Sequence, residues 1–252
     1  MKLKLFTLTA FLGLFLGANA QINLDQRIKK EGVVKGVIIK NGKEEQGYIK
    51  KIAETRRFLT NGEYKDYQAL DNFQYFMYFI PKSEFESAEK IKNNMYIKYR
   101  PEAIEGYKYI YPDGTTLVYE TVMYSDKSSI TLKMIPQPVF VRVESTGRLN
   151  IYTYYIPPSQ MGTTLEEVKG AEEPQTLFRK AGEKEAKAIY TINIEKDLAD
   201  CPKVVAKFKN GEYNVIGKKG SDSKLVKIAN KLNANDEMKL AALMEYNEGL
   251  CD

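Results

Sequence analysis

Past residue 30 the apolar positions alternate with polar ones at a period of two, the spacing of a strand with one packed face. From Glu31 to Ile52 the chain reads Gly32-Val33-Val34-Lys35-Gly36-Val37-Ile38-Ile39-Lys40, then Asn41-Gly42, then Gly47-Tyr48-Ile49. An Asn-Gly pair can hold φ > 0 at both central positions of a two-residue turn, which matches the twist of paired strands, so this segment predicts a hairpin. A second Asn-Gly at 61–62 and an Asp-Gly at 113–114 repeat the signal. Tyr107, Tyr109 and Tyr111 share one strand face, Val139, Val141 and Val143 another, and Tyr152 and Tyr154 a third.

The pattern breaks at Ile156-Pro157-Pro158-Ser159, and the stretch that follows, rich in Pro, Gly, Thr and Glu, reads as an exposed connection. Beyond it the period lengthens. Leu225, Ile228, Ala229 and Leu232 recur at helical spacing, with Ser221 or Asp222 suited to cap the start. A further helix from about Asp236 to Asn247 carries Leu240, Leu243 and Met244 on one side. Residues 183–200 combine a helix-favouring Glu183 to Ala188 with a strand-like Ile189 to Ile194, and are read as helix because helices follow. The fold class expected is α+β. An antiparallel β-rich domain spans residues 21–158, a linker 159–175, and a small helical C-terminal subdomain 176–252.

Residues 1–20 form a separate unit. Lys2 and Lys4 precede an apolar run from Leu5 to Gly17 and a small-residue ending, Ala18-Asn19-Ala20, the arrangement of a secretory signal peptide. The run is too short to span a bilayer, so no transmembrane segment is expected once the signal is cleaved before Gln21. The expected location is outside the cytoplasm, in the periplasm or beyond the cell. Exposure to an oxidising compartment predicts that the two cysteines, Cys201 and Cys251, form one disulfide.

Composition then narrows the chemistry. The 252 residues include 38 Lys and Arg, 33 Asp and Glu, 18 Tyr, no Trp and no His. Without His the commonest general base, the commonest zinc ligand and the usual partner of a Ser or Cys nucleophile are all missing. No metal ligand set, cofactor motif or catalytic residue is assigned. Ser221-Asp222-Ser223-Lys224 matches Ser-x-x-Lys, but the same residues make a good helix start and no companion motif of that enzyme class occurs. A carbohydrate-active hydrolase needs only two carboxylates, and Glu120 and Glu144 lie beside strand-like segments.

The formal charge of +5 includes Lys2 and Lys4 of the leader, so the exported chain is only weakly basic, and nucleic acid is not an expected partner. Tyrosine offers large amphipathic contact area with few rotamers to freeze, so Tyr107, Tyr109, Tyr111, Tyr152 and Tyr154 form the first candidate binding face. The competing reading puts them in a β-core. Lys218, Lys219, Lys224 and Lys227 form a secondary basic patch.

Several segments taken together resemble a group of small secreted proteins from Bacteroidetes. They are Tyr99-Arg100-Pro101-Glu102-Ala103-Ile104-Glu105-Gly106-Tyr107, Phe140-x-Arg142-Val143 with Gly147-Arg148-Leu149-Asn150-Ile151-Tyr152, Asp200-Cys201-Pro202, and Tyr246-Asn247 before Cys251. The resemblance implies an exported protein and carries no activity with it. Here Glu248-Gly249-Leu250 intervenes between Tyr246-Asn247 and the final Cys, a departure from the group's spacing. The function expected is that of a non-enzymatic binding or interaction protein of the bacterial envelope, whose partner is an envelope protein, an outer-membrane complex or a glycan. The alternatives are the two-carboxylate hydrolase and a carrier holding a small apolar ligand in a β-sheet cavity.

Overall fold

The computed structural model describes residues 24–50, 54–60, 63–69, 76–125, 135–155, 174–213 and 234–251, the side chains of residues 54–60 and 63–69 and of 155, 174 and 234 excepted. The expected leader, most of the expected linker, the expected helix around Leu225 and the expected basic patch of Lys218, Lys219, Lys224 and Lys227 lie outside the described residues.

The chain is a mixed, β-rich structure. In order it forms helix α1 (residues 24–31), then β1 (Val33–Lys40), β2 (Lys43–Lys50), β3 (Glu54–Thr60), β4 (Glu63–Ala69) and β5 (Met77–Pro81). Helix α2 (Lys82–Ser87), β6 (Ile97–Tyr99), β7 (Gly106–Ile110), β8 (Thr116–Tyr124), β9 (Gln137–Ser145) and β10 (Leu149–Tyr155) follow. The last part holds β11 (Pro174–Lys180), β12 (Glu185–Ala188), α3 (Ile194–Asp197), α4 (Pro202–Lys209) and α5 (Ala234–Asn247). Ten strands make one sheet in the order β12-β11-β10-β9-β8-β7-β1-β2-β5-β6, and β3 pairs with β4 separately.

The turn signals at Asn41-Gly42 and Asp113-Gly114 are realised, and the second Asn-Gly at 61–62 lies outside the described residues. Asn41 and Gly42 have φ of 52° and 67°, and Lys40 pairs with Lys43 across them. Thr60 pairs with Glu63 around the second Asn-Gly. At Asp113-Gly114, glycine holds φ 83° and the Thr115 amide donates to Asp113 Oδ1 at 2.9 Å, a bond that holds this carboxyl below its usual range.

The sheet closes on itself. Strands β8 to β12 pair antiparallel in sequence, and β12 returns to pair with β8 at Glu185↔Met123 and Ala186↔Tyr124. An odd number of antiparallel strands must close on one parallel pair, and β12–β8 is parallel. The other half of that β8 edge, Thr116 to Glu120, is taken by β7. Strands β8 and β9 therefore form a wall with a packed face on each side. One face lies inside the five-strand barrel with Val122, Tyr124, Val141, Tyr152, Tyr154, Leu177, Ala186 and Ala188. The opposite face, with Tyr119 and Phe140, joins Ile38, Ile49, Met77, Phe79, Tyr107 and Tyr109 in a second cluster beneath the curled β7-β1-β2-β5-β6 sheet. Curling this tightly requires bare backbone at Gly47, where a Cβ would run into the Ile80 carbonyl and the Phe79 ring.

Helices cover the outer faces. Leu24 and Ile28 of α1 and Phe85 of α2 pack on Val33, Tyr48 and Ile80. Ile189, Ile194, Leu198, Val204, Leu240 and Leu243 cover Leu149, Ile151 and Phe178 on the outside of β10 and β11. Asn247, at the end of α5, accepts from the Leu149 amide at 3.0 Å and donates to Ser145 Oγ at 3.1 Å, pinning the helix to the β9–β10 turn.

Two expectations need correction. Residues 174–188, assigned mainly to a helical subdomain, are strands β11 and β12; pairing with β10 and β8 outweighs the helix propensity of Glu183 to Ala188. The 183–200 stretch is then strand, a 3-10 turn at Ile189–Thr191 and a single turn of helix at Ile194–Asp197. The Asp236 to Asn247 helix matches α5 closely.

Burial of so many phenols makes stability alkali-sensitive. Burial, helped by Glu86, pushes Tyr48 well above its ordinary value, and burial with Glu245 does the same to Tyr213. Tyr96 is pushed up to about 12 by burial and by Glu31. A phenol that holds its proton more tightly folded than unfolded contributes stability below the unfolded value, about pH 10, and loses it as pH rises through the folded value. Titrating tyrosinate absorbance should therefore show one class ionising near pH 10 and a second released only with cooperative unfolding at higher pH. A single class near pH 10 with the fold intact would refute this.

Candidate functional site

The five tyrosines expected to form a binding face occupy the core. Tyr107, Tyr109, Tyr152 and Tyr154 are buried, and Tyr111 is half-buried against the cluster that holds Tyr107 and Tyr109. They do not share a face. Tyr107 and Tyr109 lie on the curled-sheet side of the β8–β9 wall, whereas Tyr152 and Tyr154 fill the barrel. The period-two spacing placed each stripe on one strand face correctly, but that face packs inward.

The two carboxylates have different partners. Glu120 opposes Val141, a barrel-facing position, and Glu144 is bonded to Arg142, which opposes Tyr119 on the other face. A hydrolytic pair must flank one common bond. Glu120 instead belongs to a polar plug at one end of the barrel. It accepts from the Tyr152 hydroxyl at 2.8 Å and from Arg179 at 3.0 Å, while Asn150 donates to the same hydroxyl at 3.0 Å. Burial, opposed by Asn150 and aided by Glu120, raises the Tyr152 phenol far above its ordinary value, so it stays a donor. At the other end Tyr124 donates to Gln175 and Ser125 to Glu185. Hydrophobic side chains packed between two bonded polar ends leave the barrel working as a core.

The candidate group is a row of lysines and aromatic rings on the outer face of β2, β5 and β6. The register aligns Lys50 with Tyr78 and Tyr78 with Lys98, one residue from each strand on a single face. Lys98 Nζ stands 3.8 Å from the Phe76 ring centroid and 5.9 Å from that of Tyr78. Lys50 Nζ stands 4.9 Å from the Tyr96 ring centroid and donates to Asn93 Oδ1 at 3.3 Å. Tyr96 is 9 % exposed, and its hydroxyl has no hydrogen-bond partner among the described residues.

Ring faces attract an ammonium without neutralising it. Among the described residues neither Lys50 nor Lys98 is ion-paired, a state they share with Lys35 and Lys43, and what sets them apart is the alignment of both on aromatic rings in one row. Two ammonium groups held on aromatic faces, with rings between them, can receive an anion by charge and a flat or apolar ligand part by stacking. They supply no nucleophile. Among the described residues no group of three or more Asp, Glu or Cys side chains could hold a metal ion, and no helix is long and apolar enough to cross a membrane.

Comparison with family models, curated proteins and solved structures yields no match. The resemblance to secreted Bacteroidetes proteins rests on the residues quoted for it. Lys50 and Lys98 escaped sequence reading because each is an ordinary polar position in an alternating strand. The disulfide is formed as expected, between Cys201 and Cys251.

Proposed function

We propose that this is an exported, non-enzymatic binding protein of the bacterial cell envelope that recognises an anionic envelope component through the Lys50–Tyr78–Lys98 row. The observation that carries the reading is the pair of lysines aligned across three strands on aromatic faces. The leader-like first twenty residues and the disulfide favour an oxidising compartment outside the cytoplasm. The separate partners of Glu120 and Glu144, and the packed barrel, favour binding over hydrolysis by that pair or carriage inside the barrel. A β-rich body with helices packed on its outside serves as a rigid platform for such a row.

The test is capture of envelope components by tagged protein from gently solubilised envelopes, wild type beside Lys50→Glu/Lys98→Glu. Charge reversal at a contact surface should cut recovery of the specific partner by roughly tenfold or more, with the fold unchanged. Equal recovery by both proteins would remove the row from the binding surface.

A further inference from the structure

We propose that the Cys201–Cys251 bridge is a thiol–disulfide exchange centre, whose substrate is a protein or small-molecule dithiol, in addition to being a structural clasp. Cys251 Sγ sits where a thiolate would be stabilised, and Cys201 stands at the start of a helix. Arg148, 103 residues from Cys251 in sequence, places its Nη1 3.0 Å from Cys251 Sγ, with its guanidinium 5.3 Å from the Tyr246 ring centroid. Cys201 occupies the N-cap position of α4, where Ser, Thr, Asp or Asn would ordinarily accept from the first-turn amides; its side chain makes no capping bond and Pro202 follows. The neighbouring acid, Asp200, is occupied by the Tyr246 hydroxyl at 2.7 Å.

Thiolates are stabilised by a nearby guanidinium and by a helix N-terminus, and a sulfur with a lower pKa leaves faster. Cys251 is the less buried of the two residues at 8 % exposed, beside Leu250 at 48 %, while Cys201 is at 0 %. A reductant thiolate attacks Cys251 Sγ, the S–S bond breaks, and its electron pair leaves on Cys201 Sγ at the start of α4. The reductant's second thiolate then attacks its own bridged sulfur, closing the reductant's disulfide and releasing Cys251 as a thiolate beside Arg148. In sum, the protein disulfide and a dithiol become a protein dithiol and a disulfide, with the two protons passing from one dithiol to the other.

The experiment equilibrates the full mature protein against reduced and oxidised dithiothreitol and quantifies thiols by alkylation and mass, for wild type, Arg148→Lys and Arg148→Met. The equilibrium constant for opening should fall about tenfold in Arg148→Met, equivalent to about 30 mV for a two-electron couple, and stay near wild type in Arg148→Lys. Equal constants for wild type and Arg148→Met would overturn the proposal. Should Arg148→Met fail to fold, alkylation of the reduced wild-type protein decides. Cys251 reacting well below pH 8.5, about the value of a free cysteine, supports it, and reaction only around that pH overturns it.

Discussion

Tyr107→Ala should cost about 3–5 kcal/mol of unfolding free energy, the range for emptying an aromatic site in a packed core. Tyr107 is 0 % exposed; its ring stacks on Tyr119 at 4.6 Å between centroids and meets Phe140 edge-on at 5.0 Å and Tyr109 at 5.5 Å. Those partners come from three strands, so the ring joins β7 to both strands of the shared wall, and neighbours held by sheet hydrogen bonds cannot collapse into the space it leaves. Guanidinium unfolding monitored by circular dichroism measures the loss, and Tyr190→Ala, at a 43 % exposed ring, provides the contrast at about 0.5 kcal/mol or less. Similar losses at the two positions would mean that Tyr107 is not a core residue.

Replacing both cysteines by alanine should cost about 4 kcal/mol, because a closed loop with a sequence separation of 50 residues is released in the unfolded chain. The folded state adds to this, since Cys201 and Cys251 pack in the cluster under α4 and α5 with Val204, Leu243 and Tyr246. The variant should unfold at lower denaturant and open first at α4 and α5, read as faster hydrogen exchange there than in β8 and β9. Stability within 1 kcal/mol of wild type, or uniform exchange, would contradict the clasp role of the bridge.

Short-range order was legible in the sequence and long-range order was not. Asn41-Gly42 and Asp113-Gly114 named their turns because the backbone conformation each turn needs is one that few residues adopt. The tyrosine and valine stripes identified strand faces for the same local reason. Which side of a strand faces solvent depends on what else covers it. Tyr107 and Tyr152 therefore carry similar patterns yet enter different cores, and neither is a surface. Residues 185–188 read as helix because their propensity is helical, while a parallel pairing with β8 about sixty residues earlier decides the outcome. Arg148 beside Cys251 and Arg179 beside Glu120 had no signal at all, since each contact joins distant segments through the closure of the sheet and the helices packed on it. The lysine row likewise depends on long-range order, since its alignment required the β2-β5-β6 register.

The most direct test of the binding account is cosedimentation of the purified protein with isolated envelope fragments across a salt series, wild type beside Lys50→Glu/Lys98→Glu. The account predicts that wild type sediments with the envelopes at low salt and is released as ionic strength rises, while the variant stays in solution throughout. Equal sedimentation of the two proteins, or wild-type binding indifferent to salt, would contradict recognition of an anionic envelope component by this row.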